Sequence, residues 1–234
     1  MSLKSEVKYG VGLFGGTFDP VHIGHLNTAI GLKEKFQLKE MRLILCARPS
    51  HRSAPICSVI DRKKMLSLAV SEKKYKDLII DEIECKRTGP SYTLDTVSEI
   101  RNQIGSKVPM CLCLGMDSFL SINSWNHWKD LISMTHIIVA KRPGSEQPKS
   151  GEIYEFIKKY RSIDKQNFRD TPSGNIFLTE MTPISISSTA IRKAVFKQDC
   201  LYKLLPEKII KYIKENQLYK EHRIFHETTD SHRK

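Results

Sequence analysis

Hydrophobic positions along the chain fall into two kinds of run, and they alternate. Short, nearly continuous apolar runs over residues 9–14, 41–47, 110–115, 136–140 and 175–178 predict strands, and residues 78–85 look extended. Between them the apolar residues recur at helical spacing. A helix is predicted over residues 26–36, with Ile23, Leu26, Ile30 and Phe36 as its stripe. Others follow over residues 61–70 (Met65, Leu66, Ala69 and Val70 inward), 91–104 (Leu94, Val97 and Ile100), 125–134, 153–160, 187–196 and 206–216. Strands that are apolar throughout belong to a parallel sheet covered by helices on both faces, so the expected class is α/β and doubly wound. Ligands of such sheets bind beyond the carboxyl ends of the strands, where the strand order reverses. Residues 1–220 are read as one domain and residues 221–234 as a polar, frayed tail.

Composition narrows the picture a little. At 234 residues, with 40% hydrophobic and 27% charged, the chain is long enough for a real core and ordinary for a globular protein. No apolar run approaches a membrane span and the first residues lack an apolar leader segment, so a cytoplasmic protein with no membrane partner is expected. None of the six cysteines forms a C-x-x-C pair, and Cys46, Cys111 and Cys113 sit in apolar runs, which favours buried reduced thiols. The net charge of +12 favours a polyanionic partner, either a nucleotide or RNA; spread along the chain as it is, it does not choose between them.

Candidate chemistry concentrates where the first strand meets the first helix, in Gly15-Gly16-Thr17-Phe18-Asp19-Pro20-Val21-His22-Ile23-Gly24-His25. Paired glycines let the backbone turn tightly and aim N–H groups at a ligand, and a helix start adds donors and the positive end of a dipole. His22 and His25, three apart, share a face. Together these parts make a phosphate site. Two rivals stand beside it: an ordinary turn and helix cap, or a metal site built from Asp19, His22 and His25. Gly10-Val11-Gly12-Leu13-Phe14-Gly15 also matches G-x-G-x-x-G, but its first two glycines lie inside the strand. Cys46-Ala47-Arg48 stands where a dinucleotide fold would carry an acid, so that fingerprint is rejected.

Three further segments follow predicted strands or open predicted helices. Ile186-Ser187-Ser188-Thr189-Ala190-Ile191-Arg192 is a hydroxyl-rich helix entry with an arginine fork close behind, suited to phosphate oxygens or to simple capping. Thr88-Gly89-Pro90-Ser91-Tyr92-Thr93 is a turn and helix start. Gly115-Met116-Asp117 places an acid at a strand end, where it suits a ribose hydroxyl, and Trp125 suits stacking on a ring or plain core packing.

The residues from Gly15 to His25 resemble the GGTFDPxHxGH signature of nucleotidyltransferases, and the ISSTxIR element of the same superfamily is similar to residues 186–192. Ser91-Tyr92-Thr93 with Trp125 is similar to the segments with which bacterial nicotinate mononucleotide adenylyltransferases hold the pyridine carboxylate and ring. His51-Arg52 resembles the family's P-P-H-[RK] loop although Arg48-Pro49-Ser50 departs from it, Arg142-Pro143-Gly144 matches its R-P-G, and Asn126 stands where a tyrosine commonly follows the tryptophan. The resemblance implies a Rossmann-like fold of nucleotidyltransferase type and transfer of the adenylyl group of ATP to nicotinate mononucleotide. It assigns Gly15, Gly16, Thr17, Phe18, His22, His25, Gly115, Asp117, Ser187, Ser188 and Arg192 to ATP, with His22, His25 and Arg192 as the catalytic set. Ser91, Tyr92, Thr93, Trp125, His51, Arg52 and Arg142 are assigned to the acceptor. Magnesium is expected to travel with ATP with few direct protein ligands, and no nucleic acid partner is expected. Nicotinamide mononucleotide or phosphopantetheine as acceptor, and a basic RNA-binding protein on a nucleotide-binding fold, remain the alternatives.

Overall fold

The computed structural model describes residues 9–49, 54–141, 147–182 and 186–220. Its centre is a six-stranded, all-parallel sheet of β1 (Tyr9–Gly16), β2 (Leu38–Leu45), β3 (Leu78–Asp81), β4 (Met110–Gly115), β5 (His136–Lys141) and β6 (Ile176–Glu180). The spatial order β3-β2-β1-β4-β5-β6 means that the chain runs outward from β1 to one edge, then crosses to β4 and runs to the other. The reversal between β1 and β4 opens a crevice at their carboxyl ends.

The pleat sends alternate residues to opposite faces, and each face has its own core. On one face Phe14, Cys111, Cys113 and Ile138 pack under α1 (Ile23–Lys35), α2 (Val59–Val70) and α9 (Glu207–Glu215). On the other, Leu13, Leu112, Leu114 and Val139 pack under α3 (Thr93–Ile104), α4 (Met116–Leu120), α5 (Leu131–Met134) and α6 (Glu152–Tyr160). The remaining helices are α7 (Gln166–Asp170) and α8 (Ser188–Phe196). Gly12 lies within β1, where an added Cβ would come within 2.7 Å of Leu38 and 2.9 Å of Met41. Its glycine is therefore a packing requirement of the strand, in keeping with the rejected dinucleotide fingerprint. All six cysteines are free thiols, and Cys111 and Cys113 are buried.

Three element readings need correction. Residues 78–85 are not one strand: β3 ends at Asp81, whose carboxylate accepts the Ile83 N–H at 3.0 Å, and a 3-10 turn over Ile83–Lys86 follows. Residues 125–134 are not one helix, because His127 takes a left-handed conformation (φ 51°) and breaks the run into a 3-10 turn at Trp128–Asp130 and then α5. The buried stripe of α1 is Leu26, Ala29 and Leu32, with Ile23 and Ile30 only half-buried.

Candidate active site

A cleft of about 1010 Å³ occupies the crevice beyond β1 and β4. Its floor at β1 is the turn from Gly15 to Asp19. The Phe18 ring is buried under this turn, edge-on to His25 with centroids 5.2 Å apart and against the Gly16 backbone, where an added Cβ would meet that ring at 2.8 Å. Phe18 therefore contributes its backbone to the cleft while its side chain props the turn from below. Its φ of 51° is left-handed, an unusual state for a bulky residue that persists only where surroundings impose it.

Part of that imposition comes from Arg62, a residue that motif reading passed over. Its guanidinium is 1% exposed and donates to four backbone carbonyls: Thr17 at 2.8 Å, Cys46 at 2.7 Å, Ala47 at 3.1 Å and Cys57 at 3.3 Å. In a trans peptide the C=O and N–H point in opposite directions. Drawing the Thr17 carbonyl back toward Arg62 thus turns the Phe18 N–H the other way. A signal for Arg62 was present: it stands on the Met65, Leu66, Ala69 stripe of α2, the one charged residue on that buried face.

His22 caps α1. Its Nδ1 accepts the His25 N–H at 3.3 Å, and the two imidazoles stack with centroids 3.6 Å apart and planes 18° from parallel. Burial pushes the His22 pKa down to about 4, so the ring is neutral at physiological pH. With Nδ1 accepting, its proton sits on Nε2, making it a neutral donor. The helix start itself offers less than expected, since the Ile23 N–H is held by the Leu204 carbonyl at 3.1 Å and the His25 N–H by His22.

The opposite wall comes from α8. The Ser187 hydroxyl accepts the Ala190 N–H at 3.1 Å as an N-cap, and the Ser188 hydroxyl donates to the Pro20 carbonyl at 3.1 Å. Both side chains are thus engaged in holding the helix start in place. The Ser188 and Thr189 N–H groups have no partner among the described residues. Arg192 donates to the Asp19 carbonyl at 2.9 Å and to the Thr189 hydroxyl at 3.2 Å, while its buried Nε has no hydrogen-bond partner among the described residues. Ser187, Ser188 and Arg192 all line the cleft, together with Gly15, Gly16, Thr17, His22 and His25.

The metal reading of Asp19, His22 and His25 fails on direction. The Asp19 carboxylate turns away from the histidines and accepts from the Ile56 N–H at 2.7 Å, the Cys57 N–H at 3.3 Å and the Tyr219 hydroxyl at 2.8 Å. Among the described residues no cluster of histidine, cysteine and acidic side chains could hold a metal.

The cleft is also lined by Gly115 and Asp117 at the end of β4 and by Trp125, Ser91 and Thr93. The Ser91 N–H donates to the Arg48 carbonyl at 2.9 Å, and its hydroxyl accepts the Arg48 N–H at 3.2 Å, tying the lead-in of α3 to the loop after β2. Tyr92 does not line the cleft: the backbone there is extended (φ −92°, ψ 133°), so its side chain points away from the side served by Ser91 and Thr93. Glu84, which motif reading did not single out, is buried in this wall; one oxygen accepts from Thr96 at 2.9 Å and the other has no hydrogen-bond partner among the described residues. His51, Arg52 and Arg142 lie outside the described residues.

The cytidylyltransferase-like family profile matches residues 13–194 of this chain. A protein of Marinomonas sp. (strain MWYL1), named as a probable nicotinate-nucleotide adenylyltransferase, is 37% identical over 211 residues, covering 90% of this chain and 95% of that one. The chain belongs to this family. A protein of the same name from Hahella chejuensis is 38% identical over 88% of this chain and 94% of its own. A solved structure of Plasmodium falciparum nicotinic acid mononucleotide adenylyltransferase complexed with NaAD superposes with a TM-score of 0.68 over 90% of this chain and 97% of that one; at 18% identity it supports the fold. The nucleotidyltransferase type of α/β sheet expected from the motifs is thus the fold observed. Among the described residues no helix is long and apolar enough to cross a membrane.

Proposed function

We propose that the protein transfers the adenylyl group of ATP to nicotinate mononucleotide, forming deamido-NAD and releasing pyrophosphate. One observation carries this reading. Two anion-binding elements, the Gly15–His25 junction and the start of α8 with Arg192, converge on one cleft that Trp125, Ser91 and Thr93 also line. The names of the relatives agree with it.

The acceptor's 5′-phosphate oxygen attacks the α-phosphorus of ATP as the bond from that phosphorus to the β-bridging oxygen breaks, and pyrophosphate leaves with the electron pair. The nucleophile is already anionic, so no general base is required; the protein supplies alignment and charge relief. The neutral His22 donates from Nε2 beside the stacked His25 ring. The Phe18 N–H, the N–H groups of Ser188 and Thr189 and the Arg192 guanidinium complete the donor set. Magnesium would enter with ATP as part of the substrate and would supply charge neutralisation at its phosphates.

Glu84 favours a second reading in which the acceptor is nicotinamide mononucleotide. An acidic side chain repels a ring carboxylate but accepts a hydrogen bond from a carboxamide, whereas donors at Thr93 favour the acid. Incubation with ATP and either mononucleotide, with pyrophosphate and dinucleotide product quantified together, tests the proposal. Equimolar pyrophosphate and deamido-NAD support it; faster turnover of the amide favours the second reading, and no turnover of either defeats both.

A further inference from the structure

The segment Asp19-Pro20, between the glycine turn and His22, is held from three directions at once. Its main-chain carbonyls accept from α8, Asp19 from Arg192 at 2.9 Å and Pro20 from Ser188 at 3.1 Å. The Asp19 carboxylate accepts the Ile56 and Cys57 N–H groups ahead of α2. The third hold is Tyr219, which comes back from the end of α9 to donate its hydroxyl to Asp19 Oδ1 at 2.8 Å. That oxygen's other contact is the longer one, 3.3 Å from the Cys57 amide. Both partners are buried, Asp19 4% and Tyr219 4% exposed, and Asp19 is paired with no cation among the described residues. Tyr219 and nearby Gln217 both have positive φ, 63° and 53°. A bulky residue in that region is held there by its surroundings, so the ring is delivered to Asp19 at a backbone cost. Burial first, and then the Asp19 charge, hold the phenol far above the usual tyrosine range, so it remains a donor at every working pH.

We propose that Tyr219 is a positioning residue for the adenylyl transfer, acting through Asp19 to fix the phosphate-binding turn and His22. Nothing in the chemistry requires the hydroxyl to touch substrate; it sets where Asp19-Pro20 sits, and the segment in turn seats Arg192 and Ser188. The inference rests on the adenylyl-transfer reading. Small displacements of aligned groups are expensive in rate, so a selective kinetic loss is the expected signature.

The test compares the full-length wild type, Tyr219→Phe, Asp19→Asn and the double variant by steady-state pyrophosphate release, by calorimetric ATP binding and by thermal unfolding. Tyr219→Phe keeps the buried ring and loses only the hydroxyl. It is expected to lower kcat about tenfold and to weaken ATP binding, while the acceptor KM and the melting temperature stay near wild type. Asp19→Asn should lose at least as much, and adding Tyr219→Phe to it should cost nothing further, because the hydroxyl acts through that carboxylate. A Tyr219→Phe protein with wild-type kcat and ATP affinity overturns the proposal, as do losses that multiply in the double variant or that follow the melting temperature. Should Tyr219→Phe not fold, an unchanged kcat in folded Asp19→Asn overturns it equally. A wild type inert toward ATP and nicotinate mononucleotide would instead defeat the reaction assigned above. ATP affinity then decides the positioning role: weakened in Tyr219→Phe it stands, and unchanged it falls.

Discussion

The imidazoles of His22 and His25 lie face to face at 3.6 Å, with the His25 amide bonded to Nδ1 of His22. The pair is therefore a built unit, with one ring's tautomer set by the other residue's backbone. His25 is half-buried at the helix start, off the Leu26, Ala29, Leu32 stripe that packs the core. His25→Ala should leave the fold intact and cut kcat about a hundredfold or more, the usual cost of removing one charge-stabilising donor. Near-normal turnover in a folded variant would remove His25 from the phosphate site, and a collapse in melting temperature would make its role structural.

Arg192 joins the two walls of the cleft through the Asp19 carbonyl while leaving Nε without a described partner. Arg192→Ala should raise the KM for ATP and lower kcat. Arg192→Lys should recover only part of both, since an ammonium cannot span carbonyl and phosphate as a planar fork does. Titrations of ATP at saturating acceptor, and the reverse, separate the effects. A rise confined to the acceptor's KM would place α8 on the wrong substrate.

Arg62→Met should be costly for stability. Four carbonyls, that of Cys57 buried and those of Thr17, Cys46 and Ala47 half-buried, lose their donor, and leaving two such groups unsatisfied costs about 3 kcal/mol. Urea unfolding at unchanged slope gives the value. A loss below about 1 kcal/mol would mean that the carbonyls find other partners.

Histidine burial gives the stability a pH dependence. His136 is fully buried, its Nε2–H donating to the Thr171 carbonyl at 2.9 Å and its Nδ1 accepting the Asn175 N–H at 3.1 Å. Desolvation is the main cause of its pKa falling to about 4, as for His22. Below the ordinary value of 6.5 the unfolded chain takes up protons that the folded chain refuses, so stability is full above that value and declines as pH falls toward 4. Each histidine accounts for a loss on the order of 3 kcal/mol across that window. Denaturant unfolding at several pH values should show the decline, and it should be shallower in His136→Gln. A flat profile between pH 6.5 and 4 would contradict the buried neutral state.

How far the chain could be read in advance depended on length and on periodicity. β4 was legible to the residue, because Met110 to Leu114 are all apolar and Gly115 ends the run. The end of β3 was not, since Ile83 and Cys85 continue an apparent alternation that the Asp81 side chain stops by capturing the Ile83 amide. Helices α4 and α7, five residues each, are too short to show a period. In the site, motif residues that present backbone were legible, as at Gly15 to Thr17. The residues that aim that backbone, Arg62, Asp19 and Tyr219, were not, because each acts across a separation of dozens of residues or more. Arg62 left a trace as a charge on a buried helical stripe, and Asp19 stands inside the motif, though there it reads only as a metal ligand.

Two residues of the cleft lining, Trp125 and Thr93, carry the claim about the acceptor. Trp125 can stack on the ring of either mononucleotide, so Trp125→Ala should weaken both to a similar degree. Thr93 opens α3, and its donors together with the helix dipole favour an anionic ring substituent. The most direct measurement is kcat/KM for nicotinate and nicotinamide mononucleotide in the wild type and in Thr93→Ala. The expected result is a wild-type preference for the nicotinate form that shrinks in Thr93→Ala. Equal values in the wild type, or a preference for the amide, would contradict the assignment of nicotinate mononucleotide as the acceptor.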